Sequence, residues 1–111
     1  MPLSDFDPGD MTARLVLEVP VETGDGQGGV VTTYLPVASL WARIVPVRLE
    51  VFECAGGDVA TITHNVWIRR RDDVVAGMRL RKGGRLFAVV AFHDPDDSGR
   101  YWLCRCEEAG R

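Results

Sequence analysis

The residues with chemical potential are three cysteines (Cys54, Cys104 and Cys106), two histidines (His64 and His93) and a glycine-rich run, Thr23-Gly24-Asp25-Gly26-Gln27-Gly28-Gly29. A zinc site needs thiolates and imidazoles gathered in a tetrahedron. His93, beside Asp94, lies across a hairpin from Cys104 and Cys106, but the paired Cys-x-x-Cys spacing usual in structural zinc sites is absent. A Cys–His nucleophilic pair using His64 or His93 would need a base within hydrogen-bond reach and a third group to orient it, and the spacing marks no such trio. The glycine-rich run lacks the Gly-Lys-Ser/Thr ending of a phosphate loop, and no helix follows it to offer its N-terminus to an anion. These residues read as hairpin, strand and turn positions, with no catalytic, cofactor or metal site expected. The odd cysteine count argues against a disulfide framework. Cys104 and Cys106 are two apart on one strand, so they share a face and are expected to be reduced, partly buried thiols.

The charged residues form two groups. Arg69, Arg70 and Arg71 end a long strand, while Arg79, Arg81, Lys82 and Arg85 surround Gly83-Gly84. Such charges either guard strand ends against edge pairing or make a basic patch for an acidic partner. Aromatics do not interleave with them as a platform for single-stranded nucleic acid requires. Glu50, Glu53 and Asp58, offset by Arg48, cluster in the segment between two strands. In a ring of copies with that segment facing the centre, they would make a negative lumen.

The elements that must position these groups are strands. Thr12 to Val21 alternates, with Ala13, Leu15, Leu17 and Val19 on one side. After the glycine-rich turn, Val30 to Tyr34 reads as a second strand and Val37 to Val45, beyond Pro36, as a third. From Val47 to Gly57 the spacing of Leu49 with Phe52, or Val51 with Ala55, fits a short helix or an extended loop ended by Gly56-Gly57. Val59 to Arg70 is the longest strand pattern. Two hairpins between Gly77 and Glu108 complete about six strands, the first turning on the positive φ angles of Gly83-Gly84. The expected fold is all-β, a small closed barrel whose closure removes exposed edges. Its expected core is Leu15, Leu17, Leu40, Ile44, Ile62, Val66, Leu80, Leu86, Val90 and Leu103.

With 111 residues the chain makes one domain large enough to bury a core without staples. Residues 1–11, acidic and proline-containing, are expected to be a flexible arm on a domain spanning 12–111. A net charge of −3 and a pI near 5.3 argue against a dedicated nucleic-acid binder. No run approaches the roughly 18–20 apolar residues of a membrane helix. The N-terminus lacks the basic start and apolar centre of a secretory signal, so the chain is expected to stay in the cytoplasm or to leave it only as part of something larger.

The order of four segments resembles the bacteriophage head–tail joining family, the small head-closure (stopper) or adaptor proteins beneath the portal. They are Pro20-Val21-Glu22-Thr23 with Gly29-Val30-Val31-Thr32-Thr33-Tyr34; Val37-Ala38-Ser39-Leu40-Trp41-Ala42-Arg43-Ile44-Val45-Pro46; Thr63-His64-Asn65-Val66-Trp67-Ile68-Arg69; and Gly77-Met78-Arg79-Leu80 with Gly84-Arg85-Leu86-Phe87, Asp94-Pro95-Asp96 and the Trp102-to-Glu108 strand. The resemblance spans most of the chain from Thr12 onward.

It implies a structural, cofactor-free subunit of a ring, commonly dodecameric, in the neck of a phage or gene-transfer particle assembled in the bacterial cytoplasm. The portal or adaptor would lie on one side, the tail terminator or tail tube on the other, and double-stranded DNA would pass through without sequence-specific binding. In relatives the segment matching Val47 to Ala60 projects toward the channel and can gate it. Here Val47-Arg48-Leu49-Glu50 replaces the expected Ser/Gly-Arg/Lys-Glu run, so the joining role carries over more directly than gating. Arg48, Glu50, Glu53 and Asp58 are the expected channel-lining residues. Asp5, Phe6, Arg69, Arg70, Arg71, Arg79, Arg81 and Arg85 are the expected partner contacts. The alternative is a monomeric OB-like barrel binding single-stranded nucleic acid, against which the acidic pI and missing aromatic platform count.

Overall fold

A computed structural model describes residues 8–53, 56–57, 59–75 and 77–109. After a single 3-10 turn, Pro8–Asp10, come six strands: β1 (Ala13–Gly24), β2 (Val30–Glu53), β3 (Val59–Arg69), β4 (Arg79–Lys82), β5 (Arg85–His93) and β6 (Tyr101–Ala109). All pair antiparallel in the order β1-β2-β3-β6-β5-β4. β4 returns to β1 through Val16↔Arg81, Leu17↔Leu80 and Glu18↔Arg79, which closes the barrel. The expected all-β barrel of six strands is therefore the fold.

Two elements differ from the sequence reading. The expected second and third strands are one strand, β2, of 24 residues. Pro36 does not end it, because Val37 stands as an extra residue where the register shifts opposite Leu17/Glu18, and a bulge tolerates a residue that cannot donate. The short helix between them and β3 is also replaced. β2 runs on to Glu53 and pairs Glu50↔Ile62, Val51↔Thr61, Phe52↔Ala60 and Glu53↔Val59. Val47, Arg48 and Leu49 stand opposite Thr63 alone, and this irregularity breaks the alternation and imitates helical spacing. So short a helix cannot hold itself, while Val51 and Phe52 favour a strand with a partner to pair with. Gly56 and Gly57 take φ of 88° and 86°, in the left-handed region where glycine pays no Cβ penalty.

At about 3.3 Å per residue a straight β2 would reach roughly 80 Å. The longest dimension of the molecule is 52 Å, so β2 bends, and its two irregularities supply the bend. Each end of β2 leaves the barrel wall in a two-stranded ribbon. Val19–Gly24 pairs with Val30–Leu35 beyond the reach of β4, and Val59–Ile62 pairs with Glu50–Glu53 beyond the reach of β6.

The interior holds Leu15, Leu17, Ala42, Val66, Ile68, Met78, Leu80, Phe87, Val89, Cys104 and Cys106, with Leu40 and Ile44 half-buried against them. Ile62 and Leu103 are buried as well. Leu86 and Val90, expected in the core, are half-buried, and Phe87 and Val89 take the interior instead. The run Leu86–Phe92 has no polar residue to mark its outer face, so alternation cannot set its phase. In the β4–β5 turn only Gly83 has a positive φ, 59°, the pattern of a II′ turn rather than one with both glycines left-handed. Met11 is buried, and Asp10 lies 3.5 Å from Arg43.

Candidate assembly surfaces

The arginines expected to form a basic patch are mostly bound to carboxylates of the same chain. The β1–β4 seam places Glu18, 5% exposed, between Arg79 and Arg81. Arg79 Nε donates to Oε1 at 2.6 Å and Arg81 Nε to Oε2 at 2.9 Å. Desolvation pushes the Glu18 pKa up, but the hydrogen bonds and charges of Arg79 and Arg81 outweigh it and hold the pKa below its ordinary value. The Arg79 guanidinium also stacks 3.8 Å from the Tyr34 ring centroid.

Arg85 donates twice to Glu108, at 2.8 and 3.0 Å, in a planar fork. Glu108 Oε1 lies 3.7 Å from His64 Nε2, whose Nδ1 is 2.8 Å from the Thr63 hydroxyl. The Glu108 backbone N–H donates to that hydroxyl, which ties β6 to β3 past their last rung. A cavity of about 600 Å³ beside this junction is lined in part by Asp10, Arg43, His64, Lys82 and Arg85.

Arg70 donates to Asp94 at 3.2 Å and stacks 4.4 Å from the Trp102 ring, while Arg71 holds Asp73 at 2.8 and 2.9 Å. Among the expected contact arginines, Arg69 makes no ion pair with a described residue. Asp5 and Phe6 lie outside the described residues. Sequence reasoning missed Glu18 because its pairing joins β1 and β4, distant in the chain, and missed Glu108 because it meets Arg85 only at the open end of the β5–β6 hairpin, where the register decides the partner. The available signal was Glu18 itself, an acid inside the apolar alternation of β1.

Of the expected channel residues, Arg48, Glu50 and Glu53 stand on β2 where it leaves the barrel, and Asp58 lies outside the described residues. Arg105 Nη2 donates to Glu50. The same ribbon exposes Leu49, Val51 and Val59, and the β1–β2 ribbon exposes Val30, Val31 and Leu35. That second ribbon ends in a turn where Asp25 Oδ1 accepts from Gln27 N at 2.7 Å and Gly29 N at 3.0 Å, so the glycine-rich run is a hairpin tip. Trp41, on the outer wall between the ribbons, is 53% exposed.

Cys104 and Cys106 are fully buried and unbridged. Burial pushes the Cys104 thiol up to about 12; burial first, then the neighbouring Cys104, pushes Cys106 up as well. Among the described residues no three His, Cys, Asp or Glu side chains gather as a metal site. No helix of the described residues is long and apolar enough to cross a membrane.

The fold matches known architectures. A chain in the virion of a native gene transfer agent particle aligns with TM-score 0.68 and 23% identity, covering 88% of this chain and 94% of that one. The solution structure of protein SF1141 from Shigella flexneri 2a aligns with TM-score 0.68 and 22% identity, covering 96% and 99%. No curated protein matches the chain. The family described as phage head completion protein matches residues 6–109, nearly the whole chain. The chain therefore belongs to the phage head completion protein family, and its role is a structural one at the phage head.

Proposed function

We propose that copies of this chain form a head-closure ring between the portal or its adaptor and the tail, with double-stranded DNA passing through the centre. The observation that carries this reading is the pair of ribbons leaving both ends of β2 with large apolar side chains open to solvent, Val31 and Leu35 on one, Leu49, Val51 and Val59 on the other. A two-stranded ribbon cannot shelter such residues by itself, and contiguous exposed apolar surface marks a contact. Around a ring, each ribbon has a neighbouring copy to lie on.

In this reading the β2–β3 ribbon turns toward the axis and brings Arg48, Glu50, Glu53 and Asp58 to the channel. Arg105 bound to Glu50 leaves about one net negative charge per subunit there instead of two. Such a lumen gives phosphates no counterion-releasing site to adhere to. Asp5, Phe6 and Arg69 meet the neighbouring neck proteins. Arg70, Arg71, Arg79, Arg81 and Arg85 take part as preformed ion pairs, which favour orientation over raw affinity. The subunit works by shape and charge, without catalysis or cofactor, and joins the particle in the bacterial cytoplasm.

Removing the gene from a particle-producing cell tests the proposal. The expected result is heads without tails that lose their DNA, rescued when the chain is supplied from a plasmid. Tailed particles at normal yield without the chain would overturn it.

A further inference from the structure

We infer that Arg14, Trp41 and Arg69, in one row on the outer wall, form a docking site for an acidic segment of a partner protein. An aromatic or leucine side chain of that segment enters the cleft beside Trp41, and its carboxylates pair with Arg14 and Arg69. These residues are far apart along the chain, and the strands bring them into line. Arg14 stands opposite Trp41 across β1 and β2, and its guanidinium stacks 5.0 Å from the ring centroid. The β2–β3 register, which sets Ala42 opposite Ile68, carries Arg69 to the other side of Trp41. A cleft of about 460 Å³ there is lined by Met11, Thr12, Trp41 and Arg69. A second hollow of about 340 Å³ shares Trp41 and Arg69 and adds Leu40, Arg70 and Arg71. Tryptophan and arginine are residue types that dominate binding energy at contacts.

The charge of the site selects the partner. Arg70 and Arg71 are held by Asp94 and Asp73, whereas Arg14 and Arg69 make no ion pair among the described residues. Neither hollow has a carboxylate among its described lining residues. Two unanswered guanidiniums on a chain of net charge −3 call for carboxylates from outside. The apolar lining of Met11, Leu40 and Trp41 calls for an apolar anchor between them. Neighbouring strands lie about 4.8 Å apart, so Arg14 and Arg69 stand about 10 Å apart, the span of roughly three residues of extended chain. An anchor flanked by acids in an extended segment meets that spacing.

A nucleic acid fits the surface less well. Duplex binding rests on many phosphate contacts, and the free cations here supply few. A single strand needs a succession of open rings for its bases. On this wall Trp41 is 53% exposed, while Trp67 is half-buried and Tyr101, opposite Arg69, is buried. Exposed ion pairs contribute little by themselves, so the anchor supplies most of the attachment and the carboxylates set its place and its specificity. The inference rests on the reading of Arg69 as a contact with a neighbouring protein and adds the chemistry of that neighbour. It does not require the ring.

The probe is the peptide acetyl-Glu-Glu-Phe-Glu-Glu-amide, titrated into the full chain. The readout is the side-chain indole N–H resonances of Trp41, Trp67 and Trp102, with Trp41 assigned through Trp41→Phe. The Trp41 resonance should move saturably, and farther than those of Trp67 and Trp102. Replacing the glutamates of the peptide by glutamine, or its phenylalanine by alanine, should weaken binding several-fold. Arg14→Gln and Arg69→Gln should each weaken it by about two- to fivefold, as for exposed ion pairs, and Arg100→Gln should not. A Trp41 resonance unmoved by the peptide overturns the proposal. So does equal binding of the glutamine peptide, or a larger shift with oligothymidylate at the same salt, which would make the surface a nucleic-acid site. The titration needs no particle, so its failure leaves the ring reading to be decided by removal of the gene.

Discussion

Glu18 and Arg79 face each other on the last rung of the three-rung seam that closes the barrel, and a 2.6 Å charge-assisted hydrogen bond joins their side chains. The seam is short, so its side chains carry a large share of the closure. Replacing Glu18 with Ala leaves Arg79 and Arg81 side by side without their shared acceptor. A hydrogen bond to a charged group contributes about 1.5–3 kcal/mol, and a loss of that order in denaturant unfolding is expected. A Glu18→Ala variant as stable as the wild type would mean that the seam is held by Leu17 and Leu80 alone.

The same carboxylate sets a pH dependence. Its folded pKa lies below the ordinary 4.5, so its contribution is present above that value and is lost as pH falls through the folded pKa. Stability measured from pH 6 down to 2 should fall more steeply in the wild type than in Glu18→Gln below about pH 4.5. Parallel curves would show that Glu18 keeps the same pKa folded and unfolded.

The interior of β5 belongs to Phe87, with the His64 ring edge-on at a centroid distance of 5.2 Å. Phe87→Ala should cost about 3–5 kcal/mol, as for other buried aromatics. Leu86→Ala, on the half-buried face, should cost well under half of that. Equal losses would return the strand to the opposite phase.

The two core cysteines should be chemically silent. With the Cys104 thiol raised to about 12 and Cys106 raised too, neither offers thiolate near neutral pH, and neither is reachable. Alkylation mapped by peptide mass should leave both unmodified in the native protein and modify both in urea. Rapid native modification would show that β6 opens locally.

How legible all this was depends on whether a residue's role is local. The alternation of Leu15 and Leu17 and of Ile62, Val66 and Ile68 marks one face, because polar neighbours occupy the other. The β5 run from Leu86 to Phe92 has no such contrast, and its phase is set by pairing with β4 and β6. Pro36 looks like a strand end to any local rule, yet the bulge at Val37 absorbs it. Val47 to Leu49 imitates a helix because an irregular rung shifts the period. The basic residues were legible as a group. Their neutralisation was not, since Glu18 reaches Arg79 and Arg81 only where β4 closes on β1, and Glu108 reaches Arg85 only once the register of β5 with β6 is set.

The remaining prediction concerns the ribbon between β2 and β3. In the proposed ring, Glu50 and Glu53 recur once per subunit around the DNA path. Double-helical DNA carries a charge about every 1.7 Å of axis, so even a modest change of sign in the lumen acts on many phosphates at once. Glu50→Lys also sets a cation against Arg105, which now donates to Glu50, while Glu53 makes no ion pair among the described residues. The two substitutions therefore separate ribbon structure from lumen charge. Glu53→Lys alone should leave folding and incorporation unchanged and slow DNA exit. Glu50→Lys should slow exit and also loosen the ribbon, seen as faster amide exchange in Val59 to Ile62. Both retardations should be strongest at low salt, where screening is weakest. DNA delivery at the wild-type rate from assembled Glu53→Lys particles would sink the lumen assignment and leave the joining role standing.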